Sequence, residues 1–503
     1  MAEKVIIIGA GISGLSAGAY LQMNGFDTEI FESHTIPGGL CTSWERKGYM
    51  IDGCIHWLVG SKPGIGLYDA WNELVDMKAL TIYDHEVFYR FEDENGNFIN
   101  FYNDIDLLEQ ELLTKAPEDQ ELIRDYVNAA RKFLRMELPL QKPRELYSVK
   151  DGLKAMWSIG PYLPLLAKWS KVSIEDFALR AKNSLLRKTL HNLFVPEMSI
   201  VFVMITTAWM HKKIAGYPVG GSLKFSQQIE KRYLNLGGKI HYGKSVVEIL
   251  TGNNVNGTTV KGIKTANGEE HAGTKVISAA DGHFTLNTLL KGRFTDEKNR
   301  RFYNESLVFP SYLQFSAGIS KVLKTEASSL IFPLETPIYI DPGNTISDIG
   351  IRVHSFDPTL SPAGKSLITA MIPSRNEEYW SDMRMNDFKK YRQEKERIIN
   401  QIITGVSKRL MISGLDFEMT DLSTPATVVR YTNNWQGSFE GWILRPGMSL
   451  NPLPSQLPGL QNFYMTGHWT SPGGGLPAAL MTGRGVAQII CKRQKKEFRT
   501  MSF

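Results

Sequence analysis

The chain has 503 residues, 42% apolar and 22% charged, an ordinary globular mixture long enough for two or three substructures around a large core, so default disorder is excluded. Its net charge of +5 is too small for a nucleic-acid footprint. Cys41, Cys54 and Cys491 are too few for a disulfide framework and lack metal-ligand spacing, which predicts a reducing, cytoplasmic setting and no metal site. No apolar run approaches the roughly eighteen residues of a membrane span, and the run at 4–8 is broken by glycine too soon for a secretion signal.

The opening stretch is the most informative. A β-branched run at 4–8 leads into Gly9-Ala10-Gly11-Ile12-Ser13-Gly14, and the spacing predicts a helix over 13–24 and a strand over 27–31 that ends at Glu32. Strand, glycine turn, helix, strand and acid in that order form a dinucleotide fingerprint. The glycines permit a tight turn and close approach of a pyrophosphate to the helix N-terminus, and Glu32 is placed to accept ribose hydroxyls. A second pair, Gly38-Gly39, follows Pro37 and would bring another loop's backbone to the same cofactor, which fits FAD better than NAD alone.

Further along, residues 48–57 predict a short strand and a turn ending on His56 and Trp57. Residues 87–102 alternate around Glu94-Asn95-Gly96-Asn97, predicting a β-hairpin that starts a sheet separate from the nucleotide fold. From 105 to 135 the spacing becomes helical and Pro117 divides it into two helices. Residues 149–171 interleave Leu153, Met156, Trp157, Tyr162 and Trp169 with Lys150, Lys154, Lys168 and Lys171, a pattern shared by interfacial membrane segments and by helices lying over an apolar cleft. Residues 193–209 read as apolar core with Met198 and Met204.

After Pro218-Val219-Gly220-Gly221 the pattern predicts a helix over 223–235, a strand over 239–242, a hairpin over 245–265 around an Asn-Gly turn, and a buried strand leading into Ser278-Ala279-Ala280-Asp281. This block resumes the nucleotide fold after a long insertion. Alternation at 311–319, 337–340, 350–355 and 366–372 extends the separate sheet, followed by a charged helix over 386–409 and a strand over 426–431. The last signal is an apolar strand into Gly467-His468, then Pro472-Gly473-Gly474-Gly475-Leu476-Pro477 and a helix over 478–492, with Pro477 near its first position. The basic run Lys492-Arg493-Gln494-Lys495-Lys496 reads as a charged tail or a membrane-surface contact.

These motifs together resemble the phytoene desaturase family, which includes carotenoid isomerases and retinol saturases and is related to amine oxidases. The resemblance implies an α/β fold: a discontinuous Rossmann-like FAD-binding domain (1–80, 216–290, 455–495), a separate mixed-sheet substrate domain (81–104, 291–454) and a helical cap (105–215), for which a membrane-facing position is one of the two readings of residues 149–171. It implies FAD contacts at Gly9, Gly11, Ile12, Ser13, Gly14, Glu32, Gly38, Gly39, Leu40, Val246, Gly467, His468, Gly474, Gly475 and Leu476. The implied substrate is a long unsaturated lipid entering an apolar tunnel. The setting expected from the residues is cytoplasmic, with peripheral contact at the cytoplasmic membrane face as one reading of the 149–171 stretch and the basic tail. Many desaturases carry arginine after the glycine doublet; Leu40 here is more similar to the isomerase and saturase branch, which points toward reduced flavin acting on a double bond. His468 stands where amine-oxidase relatives often carry an acid, and His56 and His468 are the candidate proton-transfer residues. The alternatives are a flavin amine oxidase and a non-catalytic, flavin-containing lipid-binding protein.

Overall fold

Lys4–Ile8 is a run of β-branched residues buried from Val5 onward, a strand covered on both faces. In the computed structural model, which describes residues 3–137, 141–255, 257–325, 327–448 and 453–503, it is the middle strand of a five-stranded parallel sheet. The order across that sheet is Lys239–His241, Asp27–Phe31, Lys4–Ile8, Lys275–Ser278 and Phe463–Met465, so its strands come from three distant parts of the sequence.

The helix Ile12–Met23 follows the first strand after a turn of only three residues, and Gly14 is the reason it can. A Cβ at Gly14 would lie 2.0 Å from the Gly9 carbonyl oxygen. The C-terminal helix Gly475–Arg493 packs on the first helix through Gly483, where a Cβ would stand 2.5 Å from the Ser13 carbonyl oxygen. Pro477 is therefore the third helical residue rather than the first, still within the turn whose N–H groups have no helical partner.

A seven-stranded mixed sheet lies beyond this unit, in the order Phe417–Ser423, Ser311–Ile319, Ser366–Ser374, Asn344–Val353, Ala327–Asp341, Val87–Glu92 and Phe98–Tyr102. The expected hairpin at 87–102 forms and joins Ala327–Asp341 in parallel, the one parallel pairing in this sheet. A second antiparallel hairpin, Val246–Asn254 with Gly257–Thr265, packs against the parallel sheet; Asn256 lies outside the described residues.

The predicted strand at 426–431 is instead the helix Pro425–Thr432. Thr424 caps it in a reciprocal box with Thr427, and Pro425 supplies the first helical φ, so start signals override the β-branched run Thr427-Val428-Val429. The strand in this region is Phe417–Ser423, at the edge of the mixed sheet. The charged helix expected at 386–409 forms as Phe388–Leu410, capped by Asp387, and a separate helix, Glu377–Asn386, precedes it.

Helices between residues 105 and 211 form a cap with its own core, in which Tyr126, Phe177 and Met204 are buried. Residues 149–171 divide into Val149–Ile159 and Leu163–Trp169. Trp169 is not an interfacial residue: it is buried edge-on against Phe177. Tyr162 stacks on Phe133, whereas Trp157 is 81% exposed. Among the described residues no helix is long and apolar enough to cross a membrane, no group of side chains could hold a metal ion, and the three cysteines are free.

A buried ion pair ties the C-terminal helix to the rest. Arg484 Nε lies 3.0 Å from Glu73 Oε2 and Nη2 lies 3.3 Å from Oε1, while Nη1 donates to the Gln141 carbonyl at 2.8 Å and Tyr20 donates to Glu73 at 2.6 Å. Removing one partner strands a buried charge. Arg484→Met should therefore destabilise the protein by about 3–5 kcal/mol, and adding Glu73→Gln should recover a large part of that loss. Urea unfolding midpoints of the single and double variants are the measurement; additive losses would show that the two side chains are not coupled.

Candidate active site

Where the parallel sheet meets the mixed sheet, a cavity of about 1350 Å³ opens, lined by residues from both and from the cap. Ordinary small-molecule pockets hold roughly 300–1,000 Å³. The space therefore accommodates an extended cofactor and a second molecule.

One end is built from backbone. Gly9, Gly11, Ile12, Ser13, Glu32, Gly38, Gly39, Leu40, Val246, Gly467, His468, Gly474, Gly475 and Leu476 all line the cavity; Gly14 does not, because its place is the strand–helix contact described above. Neither helix that starts here has a side-chain cap, so the N–H groups at the starts of Ile12–Met23 and Gly475–Arg493 are left for an anionic guest. Ser13 Oγ and Thr466 Oγ1, 2.8 Å apart, hold the two turns together. Glu32 is buried, accepting the Ala10 N–H at 2.7 Å and the His34 N–H at 2.8 Å, which fixes its carboxylate at the cavity wall. Gly38 N donates to the Ala10 carbonyl at 2.9 Å, so the second glycine pair closes over the first turn.

The vacant Cβ of Gly11 tests whether this end is shaped for a guest. A methyl there would meet nothing of the protein nearer than 3.9 Å, so folding alone does not demand glycine. The absent side chain widens the cavity at the helix N-terminus, as a bound pyrophosphate requires. His468 supports the same reading: its Nε2 is buried, without a hydrogen-bond partner, on the cavity wall.

The other end is walled by apolar side chains. Trp57, Tyr89, Phe194, Trp209, Ile331 and Phe439 represent the loop after the second glycine pair, the cap and the mixed sheet. Trp57 meets Phe88 and Phe194 edge to face, an arrangement that holds the wall rigid.

Burial sets the charge states here. It pushes His468 down to about 4, and burial together with the Arg352 cation pushes His56 down to about 3. Both histidines are neutral at physiological pH, so neither is a ready acid. Burial pushes the Glu440 carboxyl up to about 8, and this residue, beside Gly474 and Gly475, keeps its proton near neutrality. Sequence reasoning missed Glu440, which sits in a loop without periodicity. It also missed Arg352, although a cation on the alternating run at 350–355 was a readable signal.

Comparison with known proteins agrees with this architecture. Over residues 12–491 the chain matches the sequence profile of the flavin containing amine oxidoreductases. It is 26% identical to prolycopene isomerase 1, chloroplastic, of an Oncidium hybrid cultivar, over 95% of this chain and 82% of that one. It is 23% identical to the lycopene-forming phytoene desaturase of a Paracoccus species, covering 97% of both chains. A solved structure of a redesigned putrescine oxidase shares the fold with a TM-score of 0.63 at 12% identity, over 98% of this chain and 99% of that one. The chain belongs to the family of flavin-containing amine oxidoreductases.

Proposed function

We propose that the chain is an FAD-dependent oxidoreductase acting on carbon–carbon double bonds of an apolar polyene or isoprenoid lipid, and that it works with reduced flavin. The observation that carries this reading is the single cavity in which a glycine-lined, anion-accepting cradle continues into apolar walls. Relatives named as a prolycopene isomerase and a phytoene desaturase support the substrate class.

The backbone N–H groups of Ile12, Ser13, Gly475 and Leu476 would hold the pyrophosphate and the flavin edge, and Glu32 the ribose. When bound, the flavin supplies two-electron transfer at carbon. The apolar walls orient the lipid and exclude water, and the neutral Glu440 would deliver the proton that completes addition of hydrogen across a double bond or begins its isomerisation. His56 and His468, neutral, would position rather than protonate.

We also propose peripheral contact with a membrane, from which such a lipid would enter. On Val149–Ile159, Val149, Leu153, Met156 and Trp157 recur at helical spacing and are all exposed, with Lys150 and Lys154 beside them. An apolar stripe flanked by lysines and facing water is the pattern of an interfacial helix.

Purified protein should be yellow with FAD bound non-covalently. Gly11→Val should fold, by circular dichroism, yet be colourless, whereas Gly14→Val should fail to fold; a yellow Gly11→Val protein would remove the cradle reading. Anaerobically reduced protein mixed with polyene lipids should give product of equal mass or two hydrogens heavier, and turnover only by oxidised flavin, with loss of two hydrogens, would refute the direction. Activity should be full below pH 8 and fall as Glu440 ionises above about 8, and Glu440→Gln should lower it by roughly 10²–10⁴-fold and abolish that limb. Anionic liposomes should co-sediment the protein at low salt, and Met156→Ser with Trp157→Ser should abolish this; unchanged binding would assign the stripe another role.

A further inference from the structure

We propose that Arg352 receives a carboxylate head group, so that the preferred substrate is a long unsaturated acid rather than a hydrocarbon. This rests on reading the cavity as the site of an apolar substrate and adds how one end of that substrate is recognised.

Arg352 is a buried cation short of acceptors. It is 7% exposed and lines the cavity. Its Nη2 donates to the His56 carbonyl at 3.0 Å and lies 3.3 Å from His85 Nε2. Its Nε is buried without a partner, and among the described residues no hydrogen bond reaches Nη1 and no ion pair forms to the guanidinium. Asp52 attracts it from a distance, but that carboxylate is already engaged by the Ser222 N–H at 3.0 Å, the Tyr217 hydroxyl at 3.1 Å and the Ser43 hydroxyl at 3.3 Å. The rings of Tyr217 and Phe356, 5.4 and 5.3 Å from the guanidinium carbon, offset part of the lost hydration. No anion completes the set. Burying a guanidinium so incompletely paired is costly unless a ligand supplies the missing charge, and a planar carboxylate matches its geometry.

Its neighbours on the sheet extend the site. In the ladder Arg352 stands opposite Ser329 on one side and Thr369 on the other, so the three side chains share one face, and all three line the cavity. Two residues along the same face come Ile331, Gly350 and Met371. A polar row of one cation and two hydroxyls thus passes into an apolar row, the order of head and tail in an unsaturated acid.

The test uses the full-length flavin-bound protein and follows flavin absorbance during titration with oleate, methyl oleate and squalene below their aggregation thresholds. Oleate should bind roughly ten- to a hundredfold more tightly than its methyl ester. Arg352→Gln should erase that preference while retaining flavin, Arg352→Lys should keep part of it, and Ser329→Ala with Thr369→Val should weaken oleate severalfold without affecting the ester. Equal binding of acid and ester by the wild type, or flavin loss from a folded Arg352→Gln protein, would overturn the head-group assignment and leave the apolar-substrate reading intact. If Arg352→Gln does not fold, the wild-type acid-to-ester ratio decides. Failure of all three ligands to bind would overturn both readings.

Discussion

Two helix N-termini, at residues 12 and 475, open on one cavity without side-chain caps, and the rest of the molecule depends on that arrangement. It requires that Gly14 and Gly483 have no side chains: one lets the first helix rise directly from the first strand, the other lets the last helix lie against the first. The Ser13–Thr466 hydrogen bond and the Glu73–Arg484 pair fix the approach. Leaving the first-turn N–H groups of two helices unsatisfied costs stability in isolation. An anionic guest, as proposed above, would satisfy them.

The cavity beyond this cradle is electrostatically unusual for its apolar composition. Desolvation shifts several titratable groups that face it: His56 and His468 are held neutral, the Glu440 and Asp281 carboxyls are pushed up to about 8 and about 7, and Arg352 is the kind of group that keeps its charge under burial. The result is a chamber whose lining includes a buried cation, Arg352, and a proton-holding carboxyl, Glu440. Such a chamber suits positioning and proton delivery to a weakly basic carbon, because neither group is screened by solvent.

The helical cap shows how packing and exposure divide one sequence pattern. Trp157 and Trp169 lie in the same lysine-rich stretch and are alike in local composition. Trp169 faces the cap core and Phe177, while Trp157 points to solvent, because Gly160, Pro161 and Pro164 break the stretch and turn its second half inward. Composition identifies amphipathicity; the break decides which residues share a face.

The sequence by itself determined the nucleotide half of the protein. The run at 4–8, the glycines at 9, 11 and 14, Glu32, the pair at 38 and 39 and the closing turn at 467–475 are local signals, because backbone approach to a phosphate demands particular residues at adjacent positions. The hairpin at 87–102 was legible for the same reason, its turn being chemically specified. Only the tertiary structure decided the other half of the site. Glu440, Arg352, Ser329 and Thr369 come together from a loop and three separate strands, and no periodicity in one segment reports what another will place opposite it. The helix Pro425–Thr432 shows the same boundary from the other direction: its β-branched residues favour a strand locally, and its cap and packing made it a helix.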